Sequence, residues 1–198
     1  MNGKELVKEG LMTDPDSAKG KLLSQAAKLF REKGYERTTV RDLAAAVGIQ
    51  SGSIFHHFKT KEDILKAVMA DVIVYNTHLM KRKLEQAASP REEVLALITC
   101  ELEAITGVTS DAMSVLVYEW RSLKEANQQD ILRLRGEYEA LWMAALNKAK
   151  AAGQIQADTF ILRRFLTGAL SWTTTWFNRH GDVSIEDLAE EALLLAVK

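Results

Sequence analysis

Two adjacent histidines, His56 and His57, lie in the stretch GIQSGSIFHHFK, which begins at Gly48. Paired imidazoles are residue types that suit a metal site or acid–base chemistry. Neighbouring side chains on a helix point in different directions, however, and two histidine ligands on one helix need a spacing of four residues. No Asp, Glu or Cys stands at a useful offset either. We therefore expect no metal site here, and packing in the core is the simple alternative for His57.

No other arrangement of residues predicts an enzyme. The single cysteine, Cys100, has no histidine nearby in the sequence, and His78 and His180 fall on separate predicted helices. Covalent catalysis needs a nucleophile beside a base, and metal catalysis needs a set of ligands. The sequence thus predicts no catalytic site, no cofactor and no metal. The lone cysteine, the absence of a leader-like N-terminus and the absence of long apolar runs predict a cytoplasmic protein without a membrane partner.

Positive charge is concentrated in one block of the chain. The net charge is -1, but residues 18–70 carry ten Lys and Arg against five Asp and Glu. The first seventeen residues and the last 128 are both net acidic. A local basic excess is the electrostatic footprint expected of a nucleic-acid-binding module. The block contains the stretch with the two histidines.

Apolar residues recur at helical spacing along the whole chain, and nothing reads as a strand. Caps and glycines predict three short helices first, at residues 18–34, 38–48 and 51–58. In the third helix, Ser51 is expected to be the N-cap, and Ile54, Phe55 and Phe58 are expected to face inward. Six further helices are predicted at residues 61–88, 89–107, 110–124, 128–152, 158–180 and 184–198. The fold class is therefore all-α, with about nine helices.

The third predicted helix has the composition of a DNA-reading helix. The major groove is about 12 Å wide, so the helix that enters it must be narrow and polar at its N-terminal end. Residues 50–53, Gln-Ser-Gly-Ser, meet that demand. His56 and His57 then offer imidazole donors at groove level, with Lys59 and Lys61 beside them for the phosphate backbone. This pattern predicts a helix-turn-helix.

The run from Gly34 to Leu65, GYERTTVRDLAAAVGIQSGSIFHHFKTKEDIL, resembles the DNA-binding signature of the tetracycline-repressor (TetR) family. The resemblance implies phosphate contacts from Thr39 and Arg41 and a backbone clamp from Lys61. Phe55 departs from the family, which usually has tyrosine there. The expected DNA-binding residues are Thr39, Arg41, Gln50, Ser51, Gly52, Ser53, His56, His57, Lys59 and Lys61. The expected domains are a flexible tail (1–17), the helix-turn-helix (18–64), and a ligand-binding and dimerisation domain (65–198).

The last two predicted helices are the expected dimer surface. Residues 158–180 are apolar nearly all round, as in a helix covered by its own domain on one side and by a partner on the other. The resemblance likewise implies a four-helix bundle formed with a second copy. The alternative is ordinary monomer core. The expected interface residues are Phe165, Gly168, Ala169, Trp172, Ile185, Leu188, Ala192 and Leu195.

Rigid aromatic and adaptable Met side chains later in the chain predict an apolar ligand pocket. All four tryptophans lie in residues 110–180. Arg121 is expected to be buried and paired with Glu119, Asp111 or an anionic ligand. Plain core packing is the alternative for each residue. The expected ligand-binding residues are Met113, Tyr118, Trp120, Arg121, Trp142, Met143, Trp172, Thr173 and Trp176.

The predicted function is a homodimeric repressor that leaves a palindromic operator on double-stranded DNA when a small hydrophobic effector binds. The segments YEWRSL and GALSWTTTWFNRHGDVSIEDLA are similar, more loosely, to family members that sense acyl-CoA thioesters. That resemblance implies an acyl-CoA effector. The alternative is a helical adaptor that binds another protein and carries a vestigial DNA-binding domain.

Overall fold

A computed structural model describes residues 4–198, which contain ten α-helices, two 3₁₀ turns and no strand. The prediction of an all-α fold is confirmed. The helices are α1 Lys4–Lys8, α2 Ala18–Lys33, α3 Val40–Ala46, α4 Ser51–Ile54, α5 Lys61–Gln86, α6 Pro90–Thr106, α7 Ser110–Tyr118, α8 Glu125–Ala151, α9 Thr159–Trp172 and α10 Ile185–Ala196. The 3₁₀ turns are Trp120–Ser122 and Thr173–Thr175. None of these described helices is both long enough and apolar enough to cross a membrane.

Side-chain caps begin α2 and α3, and a glycine follows the end of each of these two helices. Ser17 Oγ accepts from Gly20 N at 3.0 Å at the start of α2. Thr39 and Asp42 form a reciprocal capping box at the start of α3. Gly34 and Gly48 have φ angles of 82° and 70°, which a residue with a Cβ adopts only with strain. These two glycines reverse the chain after α2 and after α3.

The recognition helix differs from its predicted form. Helix α4 spans only Ser51–Ile54, and its N-cap is Gln50 rather than Ser51, with no side-chain cap hydrogen bond. Ile54 and Phe58 are buried as expected, but Phe55 is 56% exposed, so the expectation that it faces inward is wrong. The short helix continues as turns to Phe58, which places Phe55 on the outer side with His56 and His57.

Two later helices end earlier than the apolar pattern predicts. Helix α7 stops at Tyr118, and the 3₁₀ turn that follows leads to Leu123, which is extended and buried before α8 begins. Helix α9 stops at Trp172, where three threonine hydroxyls in succession donate to the carbonyls three residues earlier. Threonine hydroxyls that bond to local carbonyls compete with the α-helical ladder, and here they accompany a 3₁₀ turn.

The chain divides into two compact units. Unit 1 contains the described residues up to Tyr75 and the segment Thr109–Arg135. Within it, α2 packs against α3 and α7, and α3 packs against α4. Residues 4–17, which the sequence predicts as a flexible tail, contain α1 with Leu6 buried. Thr13 N–H also donates to the carboxylate of Asp71 on α5, at 3.3 Å.

Unit 2 contains Asn76–Val108 and Gly136–Lys198. Helix α6 packs against both α9 and α10. Ser89 caps this helix and Pro90 is its first residue, and most of its apolar side chains are buried. Trp142, Leu146 and Ala149 of α8 are also buried.

Candidate nucleic-acid interface

The ten residues expected to contact DNA all belong to unit 1 and are exposed or half-buried. The exposed ones are Thr39, Arg41, Gln50, Gly52, His56, His57 and Lys59. The half-buried ones are Ser51, Ser53 and Lys61. None of these ten residues is buried in the core, although the side chains of Thr39 and Lys61 already have partners within unit 1. The alternative of a core-packed His57 does not match its exposure.

Apolar anchors beneath the recognition helix hold this polar face outward. Ile54 and Phe58 are buried, together with Leu43 and Ala44 of α3. The ammonium of Lys19 lies 5.1 Å from the centroid of the Phe58 ring. These buried side chains lie where α3 packs against α4.

Phe55 is a surface residue on this face that the sequence pattern did not reveal. It is exposed beside His56, where the related family usually has tyrosine. An exposed aromatic ring at the groove edge can contact sugar or thymine methyl groups but cannot donate to phosphate. The departure from the family pattern was the available signal.

The hydroxyl of Thr39 is already occupied within the chain. It donates to Asp42 Oδ2 at 2.7 Å and accepts from Asp42 N at 3.1 Å. The hydrogen bond from Thr39 N–H, followed by the one from its hydroxyl, lowers the pKa of the Asp42 carboxyl. Thr39 therefore caps α3, and its phosphate contact remains a prediction.

The ammonium of Lys61 also finds its partners inside unit 1. It donates to the carbonyls of Tyr35 at 2.8 Å and Thr38 at 2.9 Å, and it lies 3.4 Å from the carbonyl of Glu36. Lys61 Nζ is also 4.1 Å from the centroid of the Tyr35 ring. An ammonium has three donors, so this set occupies all of them. The phosphate role of Lys61 remains a prediction, and this geometry argues for a positioning role.

The residues expected to bind a ligand are divided between the units. Met113, Tyr118, Trp120 and Arg121 belong to unit 1, and Trp142, Met143, Trp172, Thr173 and Trp176 belong to unit 2. Trp142 and Thr173 are buried, whereas Tyr118, Trp172 and Trp176 are largely exposed. Arg121 is exposed, so the expectation that it is buried is wrong. Its expected partner Asp111 instead pairs with Arg31, whose Nε lies 3.0 Å from Asp111 Oδ1.

Unit 2 instead buries a different arginine, Arg163, which the sequence reasoning missed. Its Nε donates to Glu139 Oε2 at 3.1 Å, and its Nη2 lies 3.4 Å from Glu101 Oε2. Tyr138 Oη donates to the same Glu101 oxygen at 3.0 Å. Burial and then the Glu101 charge raise the pKa of Tyr138. The available signal was a Glu and an Arg inside strongly apolar helices, at ITCELEAI and FILRRFL.

The expected dimer residues of α9 form an exposed stripe. Phe165, Gly168, Ala169 and Trp172 are exposed on the side of α9 opposite its buried residues. On α10, Leu195 is exposed and Leu188 and Ala192 are half-buried. Ile185 is buried within its own chain, which leaves it little surface for a partner.

A basic helix-turn-helix with an exposed polar recognition helix defines the chain as a DNA-binding transcription regulator. Comparison with family models then identifies the family. Residues 22–68 match the model for bacterial regulatory proteins of the tetR family, and residues 87–198 match the tetracyclin repressor-like C-terminal domain. The chain belongs to the TetR family, whose members are DNA-binding regulators and not enzymes. The resemblance stated from residues 34–65 is confirmed.

The chain is also similar to individual proteins of known function or structure. The HTH-type transcriptional repressor KstR2 of Mycolicibacterium smegmatis is 30% identical, and the match covers 93% of this chain and 91% of KstR2. The superantigen pfit, whose crystal structure is known, is 59% identical in sequence to this chain. The two structures align with a TM-score of 0.87, and the match covers 98% of this chain and 96% of pfit. AibR, crystallised with isovaleryl coenzyme A and operator DNA, shares the fold at 22% identity, with a TM-score of 0.82 and coverage of 91% and 98%.

Proposed function

We propose that this protein is a homodimeric repressor that binds a palindromic operator and leaves it when a small apolar effector binds unit 2. The observation that carries the proposal is the set of exposed polar residues that flank α4, namely Gln50, His56 and His57, held over buried Ile54 and Phe58 inside the only strongly basic block of the sequence. Such residues read base edges, while the surrounding cations bind the phosphates. Double-stranded DNA in the cytoplasm is the proposed partner.

The exposed stripe on α9 supports the homodimer. Phe165 is 73% exposed and Trp172 is 66% exposed, with Gly168 and Ala169 between them. Large contiguous apolar patches are rare on monomers, and the small residues allow a second helix to approach closely. A two-fold dimer presents two recognition helices to successive turns of the duplex, about 34–36 Å apart. A single helix-turn-helix domain offers too little surface for tight binding to DNA.

The buried cluster around Arg163 supports an effector with a polar centre and an apolar body. Nη1 of Arg163 has no hydrogen-bond acceptor among the described residues. Glu101 and Glu139 already balance the charge of the guanidinium, so a neutral carbonyl suits the free donor better than another carboxylate. A thioester of coenzyme A carries such a carbonyl. The relative AibR was crystallised with isovaleryl coenzyme A, which agrees with an acyl-CoA effector here.

The first test is selection from a random pool of duplex DNA by the purified protein. We expect enrichment of an inverted repeat whose half-sites are one helical turn apart. Thermal shift against a panel of acyl-CoAs, with isovaleryl-CoA included, tests the effector. A ligand at 100 times its dissociation constant adds about 2.7 kcal/mol of stability, and the same ligand must release the selected DNA. Recovery of no enriched sequence would overturn the proposal.

A protein-binding role is a second candidate, because the 59% identical relative is described as a superantigen. In that case the stripe on α9 would contact a different protein, and the helix-turn-helix would be vestigial. The two candidates differ in a simple measurement. A repressor dimerises alone and selects DNA, whereas the binding module stays monomeric alone and selects none.

A further inference from the structure

A polar network in unit 1 converges on residues 35–38, which lead from α2 into α3 and are called the lead-in turn. Tyr35 N–H donates to Glu119 Oε1 at 3.1 Å. Lys61 Nζ donates to the carbonyls of Tyr35 and Thr38 at 2.8 Å and 2.9 Å. The backbone of the lead-in turn is therefore held by two oppositely charged side chains from distant positions, Glu119 and the first residue of α5, Lys61.

Glu119 comes from residues 109–135, here called the bracket segment, which belongs to unit 1 although it lies far along the chain. Its other carboxylate oxygen, Oε2, accepts from Ser122 Oγ at 3.1 Å, which orients the group. The bracket segment also contacts α2 on one side of the motif and α5 on the other. The contacts are Asp111 with Arg31 at 3.0 Å, and Lys124 N and Asn127 Nδ2 donating to Glu62 at 2.8 Å and 2.6 Å.

We propose that Glu119 is a positioning residue for DNA recognition. Its carboxylate fixes the lead-in turn through the Tyr35 amide, and the turn fixes Thr39 and Arg41 relative to α4. Glu119 itself touches no DNA in this arrangement. The inference rests on the proposed DNA-binding function. In it, the bracket segment keeps the DNA-contacting residues of α3 and α4 in their positions relative to one another.

The physical reason is the partial burial of the hydrogen bond between the Tyr35 amide and Glu119. Tyr35 is 8% exposed, and its ring lies edge-on to Phe30 with the centroids 5.4 Å apart. A buried N–H that loses its acceptor is costly, so the turn shifts until the amide reaches water. The shift moves the N-terminus of α3, because the lead-in turn continues directly into Thr39, the N-cap of α3. The essential property of Glu119 is then a side chain long enough to bring an acceptor oxygen to the Tyr35 amide, and not its negative charge.

Three substitutions separate reach from charge. Glu119→Gln keeps an oxygen at the same reach and loses the charge, whereas Glu119→Asp keeps the charge and is one methylene too short. Glu119→Ala loses both. Glu125→Ala is the matched control, because Glu125 is an exposed glutamate on the same bracket segment. Each variant is tested for folding by circular dichroism before any binding measurement.

The readouts are affinity for the DNA that the wild type selects, affinity for random DNA, the salt slope, and hydrogen exchange of the Tyr35 amide. We expect Glu119→Ala and Glu119→Asp to lose on the order of tenfold in specific affinity, with faster Tyr35 exchange. Their salt slope stays unchanged, because no phosphate contact is removed. Glu119→Gln and Glu125→Ala bind and exchange like the wild type.

Several results would overturn the positioning role. Wild-type affinity in Glu119→Ala, or a Gln variant as weak as the Ala variant, would show that the acceptor oxygen is not what matters. Unfolding of both the Ala and Asp variants would assign the carboxylate to the fold as a whole. If the wild type selects no DNA, the proposed function falls as well. If it selects DNA that the Ala variant binds equally, only the positioning role falls.

Discussion

The guanidinium of Arg163 lies over the indole of Trp142, with Cζ 4.2 Å from the ring centroid. Arg163 is 2% exposed and Trp142 is fully buried. The carboxylate of Glu101 forms an ion pair with the same guanidinium. A buried cation is costly to desolvate, and it is tolerated only where charges and aromatic faces surround it. The side chain of Arg163 therefore contacts Trp142, Glu101 and Glu139 within the core of unit 2.

Arg163 and Arg164 form a natural pair for testing this cluster. Arg163→Leu leaves the Glu101 carboxylate buried without its cation, so we expect a loss of about 3–5 kcal/mol in the free energy of unfolding. Arg164 is about half exposed and pairs with Glu139 at 3.0 Å, so Arg164→Leu should cost less than about 1 kcal/mol. Urea unfolding monitored by tryptophan fluorescence measures both. Equal costs would contradict the buried role of Arg163.

The stripe on α9 predicts a change of oligomeric state. Phe165→Glu places a charge at the centre of the proposed interface, where burial against a second copy would leave it unpaired. We expect analytical ultracentrifugation at micromolar concentration to show a shift from dimer to monomer. Leu132→Glu, which changes an exposed apolar residue of α8 in unit 1, is the control and should leave the dimer intact. A wild type that sediments as a monomer would exclude the interface.

Cys100 should resist thiol reagents in the native protein. Burial, followed by the charge of Glu103, raises the pKa of the thiol to about 12. At pH 8 only about 10⁻⁴ of such a thiol is ionised, whereas a free cysteine with its ordinary pKa is ionised to roughly a quarter. We expect slow labelling by 5,5′-dithiobis(2-nitrobenzoic acid) in buffer and rapid labelling in urea. Reaction of the native protein at the rate of free cysteine would contradict this burial.

The helix-turn-helix was predictable because local chemistry fixes it. Capping by Thr39, glycines at 34 and 48, and a short apolar repeat leave few alternatives for that segment. The exposure of Phe55 was not predictable from spacing, because one residue in a short helix can belong to either face. The sequence reasoning also expected Arg121 to be the buried arginine, whereas the structure buries Arg163, and the cause is similar. Both arginines lie among apolar residues, and only tertiary packing decides which one meets a buried carboxylate.

The assignment of the bracket segment to unit 1 could not be predicted from the sequence either. The predicted boundary at residue 65 follows the end of the motif in the sequence, and nothing local assigns residues 109–135 to the unit that contains α2. The contacts of Glu119 with Tyr35 and of Glu62 with Asn127 join positions more than sixty residues apart. Pairing between such distant residues has no periodic signature, so it becomes visible only in three dimensions.

Lys61 and Arg41 separate a positioning cation from a phosphate-binding cation. Lys61→Ala removes the donors to Tyr35 and Thr38, so we expect a loss of about 1–3 kcal/mol in the free energy of unfolding. The salt slope of DNA binding should stay unchanged, because the ammonium is occupied within the chain. Arg41 is exposed, and Arg41→Ala should weaken binding to all sequences and reduce the slope by about 0.9, the value for one phosphate. Gel shifts at two salt concentrations measure both. A reduced slope in Lys61→Ala, with unchanged stability, would restore Lys61 to the phosphate backbone as the family pattern implies.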